Sequence, residues 1–361
     1  AILVNPPTCG TKTSTAEFTA WSGAVVERTD SFEITESATG EDCPAEPADR
    51  PFEPGFEAGS VGAAPGGYAP FVFRLTRPDG HQELLSTEVV PPEGVTANMS
   101  EVPLCSDADA AAGTCGEESK VGRAQIGVGA GPSPYYVEGG EVFLAGPHDP
   151  DGAGDEEEAP LSLVIEVPAV AGPLDLGTVI VRAAVYVDRE TAQLRVVAND
   201  LPTILEGIPL RIRDIRVLMD REEFMIAPTD CTTASVDGSA TGADGAEAEL
   251  SVGYHLSGCG QLPFAPKLTT SVPGADDVKR DAHPEFTTTL TTREGDANLD
   301  YVRVTLPQGM FLDQANLSDV CTREQYAEED CPAESQVGYA VASTPILPEP
   351  LEGPVYLRSS D

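Results

Sequence analysis

Residues 208–220 read IPLRIRDIRVLMD. Leu210 and Ile212 alternate with Arg211 and Arg213, the period of two that marks a strand with one buried and one wet face. The signature recurs outward from there. Apolar runs at 161–167, 178–188, 194–199 and 224–226, with shorter ones near Ala234 and at 249–255, are divided by Pro and Gly. Seven or so short strands in roughly 105 residues is the count of an immunoglobulin-like sandwich. Upstream, strand-like runs fall at 71–76 (FVFRLT), 84–90, 121–128 and 141–144. One short helix is predicted, in the loop between Cys105 and Cys115, with Ser106 as N-cap and Asp107 and Asp109 in the first turn. The fold class read from this pattern is all-β.

The eight cysteines fall into two sets, Cys9, Cys43, Cys105, Cys115 and Cys231, Cys259, Cys321, Cys331, separated by steps of 222, 216, 216 and 216 residues. Other residues keep the step. CSDADAAAGTCGEESKVGRA from Cys105 aligns without a gap to CTREQYAEEDCPAESQVGYA from Cys321, PFEPGF at Pro51 matches PFAPKL at Pro263, and GGEVFLAGP at Gly139 matches LEGPVYLRSS at Leu351. This is the signature of a tandem repeat of roughly 215 residues. The expected organisation is a closing half of a sandwich module at 1–48 and a sandwich module with the Cys105–Cys115 loop at 49–157. An immunoglobulin-like module follows at 158–262, then a second copy of the 49–157 module at 263–361. The phase of these pieces leads us to expect a longer native chain.

Composition removes whole classes of function. Lys and Arg number 21 against 60 Asp and Glu, a net charge of −39. Such a surface repels phosphates, which excludes nucleic acid and an anionic membrane surface as partners. At 40% hydrophobic and 22% charged residues the chain can still build cores, unlike a disordered acidic chain. The most apolar stretch, 161–187, contains Glu166, Asp175, Arg182 and two prolines, so membrane insertion is not expected.

The spacings favour local disulfides, Cys105–Cys115 and Cys321–Cys331, and wider ones, Cys9–Cys43 and Cys231–Cys259, over zinc, which wants closer pairs and nearby histidines. Disulfides imply an oxidising compartment, hence an extracellular or cell-surface location. The four histidines stand far apart and no nucleophile elbow, phosphate loop or dinucleotide fingerprint occurs, so no enzymatic role is read. Three candidates for binding remain. Asp149, Asp151, Asp155 and Glu156 surround two glycines in HDPDGAGDEEEA, hard oxygens on a pliable loop that suit Ca²⁺, although the spacing is not that of an EF-hand and the run also reads as a solvated linker. Tyr135 and Tyr136 (SPYYVEGG) are the aromatic pair best placed to meet a ligand, with core packing as the other reading. Trp21, in EFTAWS, reads as a core residue.

The strings PFEPGFEAGS, FRLTRPDG, LPTILEGIPLRIRDI and above all VPAVAGPLDLGTVIVRAAVYVD resemble large repetitive secreted or surface proteins of GC-rich bacteria, notably actinobacteria. The resemblance implies an exported repeat protein and carries no activity onto any residue. The acidity exceeds what it implies and points to a salty habitat or a calcium-rich surface. Together these readings predict a structural subunit or segment of a surface fibre, sheath or layer, its partners being copies of itself joined head-to-tail. The alternative is an adhesin that binds a glycan or host ligand through its loops. Isolated at 1–48, Phe18 and Trp21 would face water until another strand covers them.

Overall fold

The computed structural model describes residues 4–37, 43–131, 133–149, 159–172, 174–188, 191–272, 274, 279–280, 282–310, 312–313 and 319–359. Strand accounts for 46% and helix for 7%, which makes the protein all-β. The chain forms two compact units, one of residues 1–96 with 102–263 and one of 97–101 with 264–361.

In chain order the first strands are β1 (Gly10–Thr19), β2 (Val25–Ile34), β3 (Gly55–Ser60), β4 (Phe71–Thr76), β5 (Leu84–Val90) and β6 (Thr96–Ala97). Helix α1 (Asp107–Ala112) precedes β7 (Lys120–Val128), β8 (Tyr135–Ala145), β9 (Leu161–Ala171), β10 (Leu174–Val187) and β11 (Leu194–Ala198). Next come β12 (Ile204–Leu205), β13 (Ile208–Pro209), β14 (Ile212–Met219), β15 (Met225–Ile226), β16 (Ala234–Gly242) and β17 (Glu247–Tyr254). The second unit holds β18 (Lys267–Ser271), β19 (Thr287–Thr291), α2 (Arg323–Ala327), β20 (Gln336–Ala342) and β21 (Leu351–Tyr356).

Eleven strands of the first unit make one sheet, ordered β17-β16-β5-β11-β10-β9-β8-β7-β14-β4-β3. Here the structure departs from the expected division. Strands from 49–157 and from 158–262 do not form separate sandwiches but interleave, because β5 pairs with β11 and β16 while β14 lies between β4 and β7. The sheet curls until its edges approach, and the Tyr254 hydroxyl of β17 donates to the Ser60 hydroxyl of β3 at 3.0 Å. Near-closure hides edges that an open sheet would expose.

The concave side is filled by Leu75, Leu84, Ala183, Ile212, Ile215, Ala240 and Leu250. On the convex side the Cys105–Cys115 loop lays Ala110 against Phe143, Ala145 and Val164. Leu163 and Val181 face the first cluster while their neighbours Val164 and Ile180 face the second. Burial on both faces explains why β9 and β10 read as almost continuous apolar runs rather than alternating ones.

The opening stretch is two strands, not one. Arg211 adopts φ +49° and breaks the run between β13 and β14, and the β14–β7 register shifts between Ile212 and Asp214. That bulge reverses the alternation. Beyond it Ile215 and Val217 pack on the core side, so Asp214 and Arg216 stand on the outer face.

All eight cysteines are in disulfides, Cys9–Cys43, Cys105–Cys115, Cys231–Cys259 and Cys321–Cys331. The local architecture around them recurs. Ser106 caps α1 by accepting from the Asp109 amide, and Thr322 caps α2 by accepting from Gln325, whose side chain accepts the Thr322 amide in return. The Cys105 amide donates to Leu144 at 2.8 Å and the Cys321 amide to Leu357 at 2.9 Å. The turns of hairpins β1–β2 and β16–β17 are also alike. In one, the Ala20 amide meets the Ala24 carbonyl and Gly23 has φ +83°; in the other, Gly242 meets Ala246 and Gly245 has φ +93°. The hairpins differ in burial. Ala240 and Tyr254 are buried, whereas Phe18, Val26 and Phe32 of β1–β2 are exposed. Trp21, expected in a core, is fully exposed at the β1–β2 turn, because no other strand of the described residues covers that hairpin.

Candidate functional site

The outer face of β4, β7, β8 and β14 carries a polar cluster. Strand pairing sets it up. Arg216 lies directly opposite Arg74 across β14–β4 and opposite Gln125 across β14–β7, while Gly127 lies opposite both Asp214 and Tyr136. Two arginines opposed on one face repel, and Asp214 resolves the conflict. Its carboxylate accepts from Arg74 Nε at 3.1 Å and Nη2 at 3.0 Å, from Arg216 Nη2 at 2.7 Å, and from the Tyr136 hydroxyl at 2.8 Å. Arg216 also donates to the Tyr136 oxygen at 2.9 Å and to Gln125 Oε1 at 3.2 Å, and its guanidinium lies 4.7 Å from the Tyr136 ring centre.

Gly127 lets this assembly close. A Cβ there would lie 3.0 Å from the Asp214 Cβ and 3.1 Å from the Tyr136 ring. Without it, Tyr136 reaches over β7 to Asp214, whose side chain is only 4% exposed. Burial pushes the Asp214 carboxyl up, but hydrogen bonds from Arg74, Arg216 and Tyr136 outweigh it and hold the group at about 2. The same bond to Asp214 raises the Tyr136 hydroxyl.

Beside this network opens a cleft of about 490 Å³ whose lining includes Glu53, Arg74, Pro134, Tyr136, Arg213 and Asp214. Arg213 donates to the carbonyls of Arg77 and Gly131; among the described residues it forms no ion pair with a carboxylate. The arrangement can therefore hold a planar or acidic group against Tyr136 and Arg213. Under the cleft Arg77, with its side chain 1% exposed, donates to the carbonyls of Ile212, Pro78 and His81 and to Glu83 Oε2 at 2.7 Å. Burial pushes the Arg77 guanidinium down and the Glu83 carboxyl up, and this pair ties the 77–83 turn to β14.

Of the residues singled out from sequence, Tyr136 belongs to the cluster and Tyr135 does not. Tyr135 is 51% exposed and its hydroxyl donates to the Val170 carbonyl at 3.4 Å. Successive strand side chains alternate in direction, so the two tyrosines lie on opposite faces of β8. Arg74, Gln125, Asp214 and Arg216 escaped sequence reading; the Arg–Asp–Arg content of RIRDIR was the available signal, but the bulge hid which of them share a face. Of the acidic run, Asp149 is described, whereas Asp151, Asp155 and Glu156 lie outside the described residues. Among the described residues no group of three or more His, Cys, Asp or Glu side chains is placed to hold a metal ion. No described helix is long and apolar enough to cross a membrane.

No family model, curated protein or solved structure matches the chain.

Proposed function

We propose that this chain is a structural segment of an extracellular fibre, sheath or layer, in which β-sheet units repeated along the chain carry load rather than catalyse. The observation that carries the reading is the recurrence of one disulfide-closed, capped helix and its hairpin in both units. It is joined by a β1–β2 hairpin with the turn of β16–β17 but an exposed apolar face. Repeats that leave such faces open are suited to stacking on neighbours. Four disulfides support an oxidising location, and the resemblance to repetitive actinobacterial surface proteins points the same way. Calcium held around Asp149–Glu156 is part of this proposal, as a bridge on a chain of charge −39. Electron microscopy of the native material tests it: a filament, sheath or regular layer is the expected image, and dispersed single particles overturn the reading.

A second reading, an adhesin for a glycan or host ligand, is favoured by the cleft beside Tyr136 and Arg213. An acidic sugar would place its ring on the tyrosine and its carboxylate on the guanidinium. Arg213→Ala should then abolish retention on an acidic-glycan array and leave folding intact, and unchanged retention would remove this reading.

A further inference from the structure

We infer that the cleft beside Tyr136 recognises one uronic-acid residue carried by an otherwise neutral glycan, and that this copy of the repeat is built for it while the copy in the second unit is not. The inference rests on the second reading above and names its ligand class and the residues that set it. Charge decides the class. In the lining, Arg74, Arg77 and Arg213 stand against Glu53 and Asp214, one positive charge in excess, on a chain of −39. A single carboxylate meets that excess, whereas each further anion on the same ligand lies against an acidic surface and is repelled. Arg213 is the group that receives the carboxylate. Arg74 and Arg77 are already bonded to Asp214 and Glu83, but Arg213 is held by the carbonyls of Arg77 and Gly131 and, among the described residues, by no carboxylate. Pro134 and Tyr136 supply the apolar wall for the sugar ring.

The second copy keeps the scaffold and drops the site. The step of 215 residues that carries Leu75, Thr76, Gly80 and Leu84 onto Leu290, Thr291, Gly295 and Leu299 turns Arg74 into Thr289 and Arg77 into Thr292. The step of 216 that carries Val121, Gly122 and Ala124 onto Val337, Gly338 and Ala340 turns Gln125 into Val341 and Gly127 into Ser343. The last change bears most on the cleft. Tyr136 reaches Asp214 because position 127 has no Cβ, which would lie 3.1 Å from the tyrosine ring and 3.0 Å from the Asp214 Cβ. The disulfide loop and its helix cap are kept in both copies. The polar face is therefore no requirement of the repeat, which leaves a ligand free to shape it.

Calorimetry of the whole protein tests this with two trisaccharides, one neutral but for a terminal glucuronate and one made of three uronates. The singly charged sugar should bind at one equivalent per chain, about tenfold tighter than the triply charged one at low salt, and the gap should narrow as NaCl screens the surface. Arg74→Thr and Gly127→Ser, which install the second copy's residues, should each weaken binding on the order of tenfold. Arg213→Lys, which leaves the Asp214 network untouched, should weaken it likewise, because an ammonium lacks the fork that grips a carboxylate. The two sugars compared on the parent carry the test even where a variant fails to fold. Tighter binding of the triply charged sugar at every salt, two equivalents per chain, or full binding by Arg74→Thr and Gly127→Ser overturns the inference and leaves an acidic-glycan adhesin standing. A parent that binds neither sugar overturns the inference and that reading together.

Discussion

At residue 214 a single carboxylate keeps two opposed arginines on one face of the sheet. Replacing it should expose the conflict. Asp214→Asn is expected to destabilise the first unit by about 3 kcal/mol, as when one partner of a buried pair is removed, measured as a shift in the denaturant midpoint. The pH dependence has a definite sign. The folded carboxyl, held at about 2, lies below its ordinary value of 3.8. It therefore contributes stability above about pH 4 that is lost as pH falls towards 2, about 2 kcal/mol in all. The gap between parent and Asp214→Asn should shrink over that window, and a gap that stays constant to pH 2 would show that Asp214 is not charge-paired. This residue was not legible in advance. Leu210 and Ile212 revealed a half-buried strand, but a φ of +49° at Arg211 and a one-residue bulge carry no sequence mark when the residues are arginines rather than glycines.

Among the elements, the Cys105–Cys115 loop was the most legible, because its signals are local: a capping serine, acids in the first turn and two closely spaced cysteines. The Cys105→Ser/Cys115→Ser variant should lose about 3 kcal/mol on the chain-entropy model. Thiol labelling of the denatured, unreduced parent should find no free cysteine; paired labelling at Cys105 and Cys115 would remove both the stability effect and the case for an oxidising compartment. Strands β4 and β5 were read to the residue, since turn chemistry brackets them. Their partners were not. The pairings β5–β11 and β14–β7 join residues about a hundred apart, and periodicity within a segment says which face is buried, not against what. Hence the interleaved sheet was read as two sandwiches. Tyr136 was noticed as an aromatic, while its arginine and carboxylate partners required the register.

For the whole molecule, charge and edges set the behaviour. At −39 self-repulsion opposes both folding and assembly, and screening relieves it. The melting temperature should rise with NaCl and rise further with Ca²⁺ at equal ionic strength. If Ca²⁺ matches NaCl, the run at Asp149–Glu156 is a linker and no bridge. The exposed Phe18, Trp21 and Phe32 of β1–β2 and the exposed Val302, Val304 and Leu306 of the second unit are the features that a structural role turns into contacts. Hydrogen exchange across a concentration series tests that most directly. The amides of 10–34 that point away from the β1–β2 ladder should exchange freely in dilute solution and gain protection as concentration rises, while β9 and β10 remain protected throughout. Protection of those edge amides in the dilute monomer, or their free exchange at every concentration, would contradict assembly by strand addition.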